Sequence, residues 1–176
     1  MSAALPAWPQ LPAVYGWLAL DRRGRWRLRG EPVVHGGLID FLNRHYEAGA
    51  DGAWFVRNGP QRVFVDLDYA PLVLRLQPDG GLIAHTGRAA GTVGAVVVDD
   101  EGNVAVATAA GPGLLDDRDL AAFVDKCCDA DGGPVEAEAL LAVADGATVR
   151  WHGVDLRAAA RADLPALLGF VPQPTA

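Results

Sequence analysis

The chain has a single serine, Ser2, and it stands in a proline-rich opening stretch. A serine nucleophile paired with a base is therefore excluded. Gly-Lys-Ser/Thr occurs nowhere, which removes the phosphate-cradling P-loop, and Gly-x-Gly-x-x-Gly with its following helix and acidic residue is absent too. The four histidines, His35, His45, His85 and His152, lack the spacing of a metal site, so neither metal nor cofactor is expected. Cysteine is confined to Cys127 and Cys128. Read as neighbours on a helix they point about 100° apart, poorly placed to bond each other, and they are expected to fill an apolar face. No apolar run reaches the roughly 20 residues of a membrane-spanning helix. The opening MSAALPAWPQLPAVYGW has three prolines and no basic region, unlike a secretory signal. A cytoplasmic protein is expected, and an enzyme is not favoured.

What is present describes an ordered chain of many short elements. Hydrophobic residues make up 51% of 176, mean hydropathy is +0.14, and 12 prolines and 21 glycines are scattered without period. Net charge is −7, split as +2 over residues 1–90 and −9 over 91–176. A chain this acidic is a poor general partner for nucleic acid.

One pattern occurs twice. WLALD-RRG-RWRLR, a break and LIDFLNRHYEA return as AVVVD-DEG-NVAVA, a break and LAAFVDKCCDA. Asp21, Gly24, Trp26 and Leu28 match Asp99, Gly102, Val104 and Val106 at an offset of 78. Asp-x-x-Gly closes a hairpin because Gly supplies the positive φ such a turn needs. Leu38, Phe41, Leu42, His45 and Tyr46 match Leu120, Phe123, Val124, Cys127 and Cys128 at an offset of 82. That spacing marks one face of a helix. The expected fold is α+β: antiparallel sheets built from hairpins, in two pseudo-repeated hairpin-helix-hairpin units.

Along the chain, residues 1–14 read as an irregular arm, pinned by Trp8. A first unit with a connecting hairpin covers 15–91 and a second, with a helical tail, 92–176. Arg25, Arg27 and Arg29 alternate with Trp26 and Leu28, giving one cationic and one apolar strand face. The first helix is expected over about 37–47, and strands over AWFVRN and QRVFVDL. Gly111-Pro112-Gly113 reads as a break before a helix capped by Asp116 or Asp117. Propensity favours helix over 135–144, whereas the repeat places a hairpin from about Leu140 onward, and the hairpin is preferred. Residues 155–169 read as a helix broken by Pro165, and VPQPTA as a frayed end.

Trp17, Gly24, Trp26, Gly30-Glu31-Pro32, Leu38, Phe41, Pro60-Gln61-Arg62-Val63-Phe64-Val65 and Asp68-Tyr69-Ala70-Pro71 form a second pattern, over about 15–77. It resembles that of an uncharacterised family of small proteobacterial proteins, a domain of unknown function. The resemblance implies a duplicated α+β core, a C-terminal half like a pleckstrin-homology barrel, and a cleft taking a nucleotide-like ligand in signalling. Residues 110–176 depart from that pattern.

Three clusters can carry recognition. The arginine-rich hairpin (Arg22, Arg23, Arg25, Arg27, Arg29) is either a solvated face or an anion site, guanidinium forks gripping oxyanions in pairs. Arg62, Asp68 and Tyr69 offer a cation, an acid and an aromatic for a small polar ligand, or else terminate a strand. His85, Thr86 and Arg88 lie at a turn before a glycine-containing loop, and form either a phosphate contact or a plain connection. The favoured reading gathers Arg62, Asp68, Tyr69, His85, Thr86 and Arg88 into one nucleotide-like binding site, with no catalytic residue. A protein-interaction or structural module without a small ligand is the alternative.

Overall fold

The computed structural model describes residues 8–176. One turn recurs through it. At residues 21–25, 49–53, 77–81, 84–88, 99–103 and 129–133, the first residue donates its N–H to the carbonyl of the fifth and accepts from the N–H of the fourth. The fourth residue is always glycine, with φ between 76° and 87°. This is a type I turn closed by a left-handed residue, the usual three-residue hairpin loop. At Asp21, Asp99 and Asp129 the carboxylate also accepts from the amides two and four residues on, at 2.8–3.0 Å. The Asp-x-x-Gly pairs expected to close hairpins do so.

The chain divides into two units. The first comprises Met1–Pro71 and Phe170–Ala176, the second Leu72–Gly169. In the first, β1 (Ala13–Leu20), β2 (Trp26–Leu28), β3 (Glu31–Pro32), α1 (Gly36–His45), β4 (Tyr46–Ala48), β5 (Trp54–Asn58) and β6 (Gln61–Leu67) follow in order. They form one sheet, β3-β2-β1-β6-β5-β4. His35 Nδ1 accepts from Leu38 N–H at 3.2 Å and starts α1. Trp26, 1% exposed, donates its indole N–H to Asn43 Oδ1 at 2.8 Å and so ties β2 to α1. Trp26, Tyr46 and Trp54 pack edge-on and tilted beside it, with ring centres 5.0 and 4.9 Å apart. Trp8 is buried and its ring lies 6.4 Å from that of Trp17.

In the second unit β7 (Leu72–Leu76), β8 (Leu82–Ala84), β9 (Val93–Asp99), β10 (Val104–Thr108) and β11 (Gly111–Leu115) come first. Then come α2 (Leu120–Val124), β12 (Cys127–Asp129), α3 (Glu138–Ala142), β13 (Val149–Trp151), β14 (Val154–Ala159) and α4 (Leu164–Leu168). Their sheet runs β12-β13-β14-β9-β10-β11-β7-β8.

The α+β class holds, but the sheets are mixed. β1 pairs with β6, β7 with β11 and β9 with β14 in parallel. Hairpin signals are local, whereas a parallel partner arrives over a long crossover that no turn motif announces.

Five further expectations are corrected. Residues 111–113 belong to β11 rather than a break, and a side chain at Gly113 would lie 2.6 Å from Leu74, so glycine there lets β11 and β7 approach. Cys127 and Cys128 lie on β12, not on a helix face. α2 ends at Val124 because 127–129 ladder with β13, and that pairing overrides the helical spacing. Residues 138–142 are helix, extended by a 3-10 turn over Val143–Asp145 and ended by Gly146 at φ 93°. Propensity prevails there, and the hairpin begins only at Val149. Residues 154–159 are strand, held by the parallel ladder to β9, and Pro165 sits in the first turn of α4, where its missing N–H costs nothing. Nor is VPQPTA frayed. Val171 bridges Ala53 in parallel, Val171 N–H donates to Gly52 O at 3.0 Å, and Leu67 N–H donates to Pro172 O at 2.8 Å.

Candidate binding cleft

The residues singled out from sequence fall in two groups, one per unit. Arg62 is exposed near the start of β6, its guanidinium carbon 5.4 Å from the centre of the Phe55 ring. Arg57 stacks on the same ring at 5.5 Å and pairs with Glu47. Asp68 follows the other end of β6, its N–H bonded to Leu20 O at 3.0 Å, and Tyr69 is buried beneath the Arg22 guanidinium at 5.3 Å. Arg62 and Asp68 stand six positions apart along extended strand, about 20 Å. They are not one constellation. In the second unit His85, Thr86 and Arg88 lie in the turn over 84–88. His85 is tied to β7: its Nδ1 accepts from Val73 N–H at 3.2 Å, and its own N–H donates to Val73 O at 2.8 Å.

The arginine-rich hairpin is engaged internally. Arg25 pairs with Asp21 at 2.8 Å, Arg29 stacks over Trp17 at 4.9 Å, and Arg27 reaches Gly30 O at 3.4 Å.

Acids with displaced titration have structural partners. Asp116, 1% exposed, accepts two bonds from the Arg118 guanidinium at 2.8 and 2.7 Å, and those bonds bring its carboxyl down to about 2 against the opposing effect of burial. Asp119 is held low chiefly by Arg75, at 2.6 and 3.2 Å, and also accepts from Leu76 N–H. Burial pushes Asp21 upward, but the amides of Arg25 and Arg23 and the Arg25 side chain outweigh it. Burial drives the Cys127 thiol to about 12, the wrong direction for a thiolate nucleophile. Consecutive strand residues face opposite ways, so Cys128 is only half buried. Among the described residues, no group of three His, Cys, Asp or Glu side chains is placed to hold a metal ion, and no helix is long and apolar enough to cross a membrane.

The second unit does contain a cleft, of about 440 Å³, lined by Val98, Asp99, Asp100, Leu140, Leu141, Ala144, Ala158, Ala159 and Ala160. Its position follows from the topology. β9 and β14 run parallel, both end here, and crevices at the carboxyl ends of parallel strands are where open sheets hold ligands. Leu140, Leu141 and Ala144, from α3 and the 3-10 turn after it, supply the facing wall. Leu140 is buried, whereas Leu141 is 55% exposed. Seven of the nine lining residues are aliphatic. Asp99 spends its carboxylate on its own turn and on Asn103 Nδ2 at 2.8 Å. Asp100 accepts from Arg161 N–H at 2.8 Å, and the Arg161 side chain pairs with Glu101 at 3.2 Å. The cleft is an apolar slot with an acidic rim.

None of these lining residues was named a site candidate from sequence. The available signal was the stretch 134–148, where the second copy of the pattern departs from the first and helical propensity contradicts the repeat.

The sequence matches the DUF2944 family model, described as a protein of unknown function (DUF2946), over residues 1–175. The chain belongs to that family. No activity comes with the family's description. No curated protein matches the sequence. Among solved structures, it is similar to a DUF1285 family protein from Silicibacter pomeroyi DSS-3, with a TM-score of 0.57 at 15% identity over 82% of this chain and 80% of that one. A DUF1285 family protein from Shewanella baltica OS155 matches at a TM-score of 0.47 and 18% identity, over 61% of this chain and 89% of that one. At such identities the first likeness is one of fold alone.

Proposed function

We propose that this protein is a binding module that takes an apolar group in the cleft of its second unit. The observation that carries the reading is the chemistry of the cleft: aliphatic walls, a volume within the range of small-ligand sites, and carboxylates already committed to neighbouring amides and side chains. A nucleotide-like anion in a signalling role, gathered by Arg62, Asp68, Tyr69, His85, Thr86 and Arg88, has less support. Arg62 and Asp68 stand at opposite ends of β6, and the ionic groups lining the cleft are acids that repel phosphate.

We also infer that the two units descend from one duplicated α+β element. What supports this is strand order: β3-β2-β1-β6-β5-β4 in one sheet and β11-β10-β9-β14-β13-β12 within the other, each about a parallel central pair. A helix follows the third strand of each series. In the second, residues 134–148 interrupt the path between the fourth and fifth strands and carry α3, one wall of the cleft.

The test is ligand-observed NMR with small aliphatic and aromatic compounds and with nucleotides, on the wild type and on Ala144→Trp, which fills the cleft from an exposed position. Apolar compounds are expected to bind and to raise the melting temperature of the wild type only. Nucleotide binding that survives Ala144→Trp, with no apolar compound bound, overturns the reading.

A further inference from the structure

The cleft has an open strand edge beside it. β13 and β14 are joined by the two-residue turn His152-Gly153, with φ of 49° and 77°, so Trp151 and Val154 form its closing hydrogen-bonded pair. Backbone polar groups alternate between the two edges of a strand. Val154, Leu156 and Ala158 therefore all present theirs on the β13 side. The β13 ladder registers only Arg150 with Asp155 and Trp151 with Val154. Ala158, exposed and lining the cleft, lies beyond it, and among the described residues no backbone hydrogen bond outside the strand ladders reaches its N–H.

The corresponding amide of the first unit is occupied. Gly59-Pro60 joins β5 to β6 with Asn58 and Gln61 as the closing pair, so Leu67 presents its N–H on the β5 side. Leu67 lies beside Leu20 in the parallel pair and Ala158 beside Val98, and Leu20 and Val98 each precede the aspartate that opens the turn. Leu67 N–H is bonded to Pro172 O at 2.8 Å, within a C-terminal segment where Val171 bridges Ala53 and Phe170 is 4% exposed. The chain thus fills this edge once with an extended Phe-Val-Pro segment of its own.

We propose that the cleft of the second unit is a peptide site. An extended apolar segment of a partner protein hydrogen-bonds to the β14 edge at Ala158 and lodges an aromatic or aliphatic side chain against Leu140 and Ala144. Strand addition of this kind takes affinity from the backbone and selectivity from a side-chain pocket. The acidic rim at Asp99 and Asp100 selects against a segment carrying carboxylates. The proposal rests on the cleft being the binding site, and adds what occupies it.

The probe is the amidated peptide Gly-Phe-Val-Pro-Gln-Pro, copied from residues 169–174, titrated into the ¹⁵N-labelled full chain. The Ala158 amide is expected to shift saturably and to exchange with solvent at least about tenfold more slowly, and both Ala144→Trp and a Phe-to-Ala peptide are expected to weaken binding at least about tenfold. No change at Ala158 with about 1 mM peptide, or a shift that survives Ala144→Trp, overturns the proposal. If a small apolar compound moves the Leu140 and Ala144 signals while the peptide leaves Ala158 unmoved, the cleft stands and the peptide falls. If neither binds, both readings fall. Shifts at Ala158 that follow protein concentration alone identify a second copy as the occupant and also overturn it.

Discussion

Each unit ends its central parallel strand pair differently. In the first, Asp68 and Tyr69 follow β6, Tyr69 is buried beneath Arg22, and residues 170–172 bond along the outer edge. In the second, Ala159 and Ala160 stand where Asp68 and Tyr69 stood, Asp100 where Arg22 stood, and a cleft of about 440 Å³ remains. The difference is one of side-chain volume and of what covers the strand edge, not of strand order. Side chains close the strand ends of the first unit and leave a cleft at those of the second.

The largest expected effect comes from opening the closed strand end of the first unit. Phe170→Ala removes a ring that is 4% exposed and is expected to cost about 3–5 kcal/mol of stability by chemical denaturation. The Leu67 amide should then exchange faster while Ala158 does not change. A cost below about 1 kcal/mol would mean that the tail only rests on β6, and the contrast between a filled and an open edge would lose its basis.

The features visible in the sequence are those fixed locally. Asp21, Gly24, Asp99 and Gly102 specify their turns within five residues, so both hairpins were legible, as were β5 between Asp51-Gly52 and Gly59-Pro60 and β6 after the latter. Pairings decided at long range were not. β14 is strand because β9 lies beside it, and Cys127 leaves the helical pattern because Trp151 pairs with it. The cleft was illegible for a related reason. Arg62, Asp68 and Tyr69 were chosen for their chemistry, yet the first lies near the start of β6 and the others follow its far end. The cleft is made of aliphatic residues that carry no chemical label. Its one trace was the conflict between propensity and repeat over 135–144, and local conflicts of that kind tend to mark functional positions.

Next in size is a difference in acid sensitivity. α1 starts on the His35 ring, whereas the 3-10 turn before α2 starts on Asp116, whose carboxyl titrates near 2 because of Arg118. A folded-state value below the ordinary carboxylate range of about 3.9 contributes stability that is complete above that value and is lost as pH falls through about 2. Urea titrations of wild type and Asp116→Asn should differ by about 2 kcal/mol at neutral pH and converge near pH 2. A gap that persists at pH 2 assigns the effect to packing instead of charge. The two equivalent turns give a smaller and balanced effect. Asp21→Ala and Asp99→Ala each remove a carboxylate holding two amides, and each should cost about 1–2 kcal/mol. A strongly unequal pair would show that the turns are alike in geometry but not in energy.

The smallest expected effect transplants the closure itself. Asp100→Arg with Ala160→Tyr rebuilds in the second unit the pair that Arg22 and Tyr69 make in the first, where the guanidinium lies 5.3 Å from the ring centre. Both positions are exposed or at the cleft rim, so neither single change need disturb the core. Ala160→Tyr alone adds volume at the cleft mouth. Asp100→Arg alone removes the acceptor for Arg161 N–H and places two cations side by side, so a modest loss is expected. Together they should recover about 0.5–1 kcal/mol beyond the sum of the single changes, the coupling of an exposed cation over an aromatic ring. The double variant should also bind no apolar compound in the cleft. Zero coupling in the double-mutant cycle, with binding retained, would mean that the strand ends of the two units differ in backbone course as well as in side chains, and the correspondence between Tyr69 and Ala160 would be wrong.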